Sequence, residues 1–253
     1  MSESALDRVL SSYSSSIKVL LYTHRNRKKR DPKEPGNSIL LASVQNADDQ
    51  NLLEHVGDEV EALAKVLPGD LKPILLSEPD KQDILSRLLS CAVFHFAGHG
   101  ISDPLDPSES CLLVKDWNKI PASALSVKDL IGFNLYVQSP WLAYLSACST
   151  GETKDDRLYH ESIHLMSGCQ LAGFQHAVGS LWEISDRYSV DVAREVYTVI
   201  KLEIGTLGNV AYAVHQAVRY LRDLSLLMGI KRKIGSETAA TDSTNVTERW
   251  NDL

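Results

Sequence analysis

Two short apolar runs in this chain end in side chains that can do covalent chemistry. Val93-Phe94-His95-Phe96-Ala97-Gly98 runs into His99-Gly100, and Trp141-Leu142-Ala143-Tyr144-Leu145-Ser146-Ala147 runs into Cys148-Ser149. A thiolate is a strong nucleophile, and an imidazole carries a proton near neutral pH. His99 and Cys148, 49 residues apart, are therefore the candidate catalytic pair. Gly100 has no side chain, so a substrate carbonyl can approach its backbone N–H. That amide and the N–H of Cys148 are the candidate oxyanion donors. Ser149-Thr150-Gly151 after the cysteine is a small, polar turn that leaves the sulfur accessible.

Residues so far apart meet only if the two runs are neighbouring strands whose carboxyl ends share one sheet edge, where ligand crevices open in α/β folds. The rest of the chain supplies such a scaffold. Ser16–Tyr22 and Ser38–Val44 read as strands. From Leu52 to Leu67, apolar positions 52, 53, 56, 60, 63, 66 and 67 repeat at helical spacing, and Pro68-Gly69 stops the helix. Residues 73–76 are strand-like. Asp80–Ser90 is helical, with Leu85, Leu88 and Leu89 on one side. After the His99 strand and a polar connection, Cys111–Val114 is a short strand. Ser126 then caps a helix to Phe133, with Asp129 three residues on.

Beyond the Cys148 strand, Gly151–Tyr159 reads as a charged loop beside the catalytic edge. A helix over Ser162–Phe174, a strand over His176–Ile184 and helices from Asp186 and over Gly208–Met228 follow. Strands alternating with helices give an α/β fold, a mostly parallel sheet flanked by helices on both faces. We expect one domain over residues 16–230, between a flexible N-terminus (1–15) and a flexible polar tail (231–253) rich in Ser, Thr, Asn and Asp.

The chain has 253 residues, enough for one sizeable core. Its net charge of -7 argues against nucleic-acid affinity. No apolar stretch is long enough to span a bilayer, and Met1–Ser16 has no secretory apolar core. The basic run Arg25, Arg27, Lys28, Lys29, Arg30 reads as a solvated loop. Cysteines at 91, 111, 148 and 169 fit no zinc or disulfide framework, so reduced thiols in a cytoplasmic protein are expected.

The segments around both candidate residues, Phe94–Gly100 and Leu145–Gly151, resemble the two signatures of the CHAT domain, a caspase-like family related to separases. Ser102-Asp103-Pro104 and Asp106-Pro107-Ser108, leading into Cys111-Leu112-Leu113, resemble its post-histidine loop. Ile163-His164-Leu165 and Gln170–Phe174 resemble its post-cysteine helix, and Val178–Asp186 its late tryptophan-containing strand. The likeness covers roughly residues 38–225. It implies a caspase-haemoglobinase fold and a cysteine endopeptidase with His99 and Cys148 as the dyad and Gly100 as an oxyanion donor.

The resemblance further implies a protein substrate, a preference for a basic P1 residue, and a separate activator or sensor protein. An acidic group near the late motif would bind the basic side chain. Asp186 is the first candidate and Glu183 the second, although Asp186 equally suits the N-cap of the helix it opens. Two departures from the family's pattern stand out. Gly98 occupies a position where many relatives carry cysteine, expected to matter little to the dyad, and His160-Glu161 replaces an acidic pair.

The alternative function is a catalytically silent CHAT module that scaffolds partners; a nucleotide-binding domain is disfavoured by the missing phosphate loop. His95 and His99 are four apart, about 13 Å along a strand, too far to share an ion, and the pair His160 and His164 has no evident third ligand. No metal and no cofactor is expected, and Trp182 reads as a packing residue.

Overall fold

The computed structural model describes residues 5–14, 16–25, 38–45, 52–67, 73–103, 105–117, 123–147, 165–180, 186–203 and 209–226. Its centre is a sheet of five parallel strands. β1 (Ser38–Ser43), β2 (Pro73–Ser77), β3 (Cys91–Gly98), β7 (Leu142–Ala147) and β8 (His176–Gly179) lie in the order β2-β1-β3-β7-β8. A second, small antiparallel sheet, β4 (Gly100–Ile101), β5 (Cys111–Leu112) and β6 (Leu125–Ser126), follows directly from β3. The expected α/β class holds.

Helices cover both faces. α3 (Lys81–Leu88), α4 (Val127–Phe133) and α5 (Leu165–Ala172) pack on one, where Phe94 and Phe96 meet Leu88, Leu130 and Cys169. α2 (Val56–Val66), α6 (Asp186–Glu203) and α7 (residues 210–226) cover the other, with Val93, Leu142, Leu63, Val196 and Ala213. Right-handed crossovers explain this division. The chain steps from β1 outward to β2 through α2, then reverses and passes through α3 to β3 on the far side of β1. The reversal makes the carboxyl ends of β1 and β3 a switch point, the usual place for a crevice.

Local sequence chemistry sets the helix starts. Asp80 caps α3 and Ser126 caps α4, each in a reciprocal capping box with Asp83 and Asp129. In α3 the buried side is Ile84, Leu85 and Leu88, whereas Leu89, expected beside them, is the exposed C-cap. α2 opens only at Val56, so Leu52 and Leu53 precede it.

One element differs outright. Residues 17–25, expected to begin with a strand, form helix α1 (Ile17–Arg25), with the Val19 amide donating to the Ser16 hydroxyl at 3.2 Å. Ile17, Leu20 and Leu21 carry helical spacing, and Leu20 breaks the alternation a strand needs. All three are exposed, Ile17 by 77%, so no sheet face covers them. Upstream, Ala5–Asp7 is a 3-10 turn whose Asp7 carboxylate accepts from Arg222 at 2.7 Å and faces Arg219 at 3.7 Å on α7. Residues 231–253, the segment 151–159, the two histidines at 160 and 164, and Trp182 lie outside the described residues. No described helix is long and apolar enough to cross a membrane.

The turn from α5 into β8 rests on one glycine. Gly173 has φ +121°, and a Cβ there would stand 2.7 Å from the Leu135 carbonyl carbon. The neighbouring atoms are all backbone of the Leu135–Tyr136 peptide, which cannot swing aside as a side chain could. Strain and overpacking together should make Gly173→Ala less stable by about 3 kcal/mol. Urea unfolding should report it as a lower midpoint with an unchanged slope.

Candidate active site

β3 is the middle strand of the parallel sheet, and from Val93 to Ala97 its buried residues alternate between the two helix layers. It ends at Gly98 because the next residues join the antiparallel sheet. His99 is the single residue between the two sheets. Its carbonyl accepts from the Leu113 amide at 2.9 Å, and the residue is only 9% exposed. Gly98 fits tightly beneath it: a Cβ would meet the Phe96 ring at 2.9 Å and the Val44 carbonyl oxygen at 3.1 Å. The absence of a side chain at 98 therefore has a local packing cause.

Gly100 pairs with Leu112 in β4–β5. The Leu113-to-His99 bond identifies Gly100–Leu112 as a non-hydrogen-bonded pair of the antiparallel ladder. At such a pair the backbone groups face away from the partner strand. The Gly100 N–H is thus turned away from β5, as an oxyanion donor must be.

β7 lies beside β3 with an unbroken register. Val93 pairs with Leu142, His95 with Tyr144, Ala97 with Ser146 and Gly98 with Ala147, so each partner is 49 residues further along the chain. Cys148, the residue after Ala147, lies outside the described residues, as does Glu183. The last described residue of β7 is anchored: Ser180 donates its hydroxyl to the Ala147 carbonyl at 3.0 Å. Asp186 is placed as the first residue of α6, with its side chain outside the described set.

The remaining described thiols are unreactive by environment. Cys169 is fully buried in the core, and burial pushes its pKa up to about 12. Burial, then the nearby Glu109 carboxylate, raises Cys111 to about 11. Cys91 is buried and its thiol lies 3.6 Å from the Leu88 carbonyl oxygen.

A buried polar cluster that sequence reading did not single out lies on the α2/α6 face. Glu59, in the first turn of α2, is 2% exposed, and His95 is fully buried. Ser146 donates its hydroxyl to Glu59 Oε2 at 2.9 Å. His95 Nε2 faces Glu59 Oε1 at 3.0 Å, close but off hydrogen-bond alignment. The His95 ring stacks on Tyr144, with centroids 4.9 Å apart, and its Nδ1 stands 3.3 Å from the Tyr197 hydroxyl. Burial, then the neighbouring Tyr144 and Glu59, holds the Tyr197 phenol well above its usual pKa, so it stays an O–H group. The signal in the sequence is a charge at core spacing. Glu59 stands three residues after Val56 and four before Leu63 on the buried stripe of α2. His95 also bears on metal binding: both its ring nitrogens already face protein groups.

The family model of the CHAT domain matches residues 2–227, a span that takes in every described residue. The chain belongs to the CHAT domain family. This is a caspase-like family related to cysteine peptidases, consistent with the parallel sheet and the histidine at its carboxyl edge. No curated protein sequence matches the chain.

Thiol reactivity separates the cysteines of this CHAT domain. A thiol with pKa near 12 is ionised in only about one molecule in 10⁴ at pH 8. Brief treatment of the folded protein with iodoacetamide at pH 8, read peptide by peptide by mass spectrometry, should leave Cys169 and Cys111 unmodified. Denaturant should expose both to rapid labelling. Labelling of Cys169 at the same rate before and after denaturation would contradict its burial.

Proposed function

We propose that this CHAT domain is a cysteine endopeptidase in which Cys148 is the nucleophile and His99 the acid/base. The observation that supports it most directly is the β3–β7 register. Its last pair, Gly98–Ala147, stands one residue before His99 in one run of the chain and one residue before Cys148 in the other. Adjacent parallel strands lie about 4.8 Å apart, so side chains on partnered positions of one face are neighbours.

The chemistry then runs in two stages. The Cys148 sulfur attacks the scissile carbonyl carbon as His99 takes the thiol proton, and the carbonyl oxygen takes the negative charge. The Gly100 and Cys148 amides donate to that oxygen. His99 protonates the leaving nitrogen as the C–N bond breaks, which releases the first product as an amine and leaves a thioester. Water, deprotonated by His99, then attacks the thioester, and the C–S bond breaks to release the acid and restore the thiol. No cofactor is needed at any stage.

The Ser180 hydroxyl, by holding the Ala147 carbonyl, anchors the end of β7 one residue before the nucleophile in the chain. The substrate is a protein, cut after Arg or Lys bound by Asp186 or, second, Glu183 at the start of α6 and just before it. A separate activator or sensor protein switches the activity on, and the protein works in the cytoplasm.

Peptide-library cleavage by the full chain tests this. Wild type should cut, and Cys148→Ala and His99→Ala should each lose at least about 10³-fold in kcat/KM. Asp186→Ala should abolish cleavage after Arg and Lys in a protein with unchanged circular dichroism. Retained cleavage in either dyad variant would remove the mechanism. Absence of cleavage by wild type, with and without cell extract as a source of activator, would leave the chain as a binding scaffold.

A further inference from the structure

We propose that Glu59 is a positioning residue that sets the strand ends carrying His99 and Cys148, acting through Ser146 and His95. The inference deepens the peptidase reading and rests on it for the roles of His99 and Cys148.

The geometry is a diagonal clamp. His95 and Ser146 stand on adjacent strands at successive positions of one sheet face, since His95 pairs with Tyr144 and Ala97 with Ser146. Glu59 reaches both from α2, one carboxylate oxygen to each. Its placement in the first turn of the helix puts the carboxylate near the positive end of the helix dipole. Tyr197, from α6, closes the cluster on the far side of the imidazole. One carboxylate thus joins α2 to β3 and β7, and Tyr197 adds α6.

The position along the strands matters more than the bond count. Ser146 lies two residues before Cys148, a step of about 6.6 Å along a strand. His95 lies four residues before His99. Apolar contacts on the same face, such as Val93 with Leu142, resist separation of the strands but tolerate small sliding. A hydroxyl held at 2.9 Å by a buried carboxylate does not. In-line approach of sulfur, carbonyl and imidazole is sensitive to shifts of this size, because a misplacement of about 1 Å can cost about 10²-fold in rate.

The experiment compares wild type, Ser146→Ala, Ser146→Thr, Glu59→Gln and His99→Ala in the full chain. Asp80→Ala serves as a control that loses the α3 cap and destabilises the fold away from the cluster. Three quantities are read: kcat and KM on a cleaved peptide, the pH profile of Cys148 alkylation by iodoacetamide, and the thermal midpoint. Ser146→Ala should lower kcat at least about tenfold with KM within about twofold. Its alkylation profile should move toward that of His99→Ala. Ser146→Thr, which keeps the hydroxyl, should recover most of kcat, and Asp80→Ala should lower the midpoint without changing kcat or the profile.

Wild-type kcat and profile in both folded Ser146→Ala and Glu59→Gln would overturn the proposal. Equal losses in Asp80→Ala and Ser146→Ala would overturn it too, since the effect would then be general destabilisation. If wild type cuts no peptide, the peptidase reading falls and the alkylation profiles alone decide whether Glu59 positions Cys148. A wild-type profile identical to that of His99→Ala overturns both.

Discussion

The parallel pairing of β3 with β7 is the constraint on which the rest depends. The two strands hold the same offset at every pair from Val93–Leu142 to Gly98–Ala147. Everything on either face has to accept that offset. Phe94 and Phe96 pack into the α3, α4 and α5 layer, while Val93, His95 and Ala97 face α2 and α6. A slip of one residue would exchange these two sets and bury neither well. The apolar pattern of two short runs, far apart in the chain, thereby determines which residues emerge together at the carboxyl edge.

The edge itself is shaped by a change of sheet. β3 belongs to the parallel sheet and β4 to the antiparallel one, with His99 alone between them. This arrangement holds the histidine backbone from the β5 side through Leu113 and turns the Gly100 amide away from β5. Gly98 completes the corner, since the Phe96 ring and the Val44 carbonyl occupy the space a side chain would need. A side chain at position 98 would require the Phe96 ring to shift.

Much of this was legible in the sequence because short-range rules decide it. The Ser126 cap with Asp129, the buried stripe of α2 and the apolar runs of β3 and β7 follow from spacing alone. The element at residues 17–25 did not, because Ile17, Lys18, Val19 and Leu21 satisfy a strand pattern while Ile17, Leu20 and Leu21 satisfy a helical one. The outcome depends on whether a sheet edge is available to pair with, and the two edges of this sheet are β2 and β8. His99 and Gly100 were legible as strand-end chemistry, whereas Glu59 was hidden as one acidic residue in a helix with several. A charge at core spacing needs its partners to be explained, and those partners, Ser146 and His95, come from two other elements.

That buried charge also bears on specificity of register. Alternation distinguishes the two faces of a strand, so it penalises a one-residue slip strongly and a two-residue slip weakly. Within the row of small and apolar residues on β3 and β7, a two-residue slip would still bury apolar surface on the correct face. It would not return a hydroxyl and an imidazole to Glu59. A buried carboxylate without partners costs several kcal/mol, while a well-packed apolar replacement for the whole cluster would cost little or even add stability. The cluster therefore contributes less to net stability than to choosing among registers. Its Ser146 and His95 stand two and four residues before the positions whose alignment the chemistry needs.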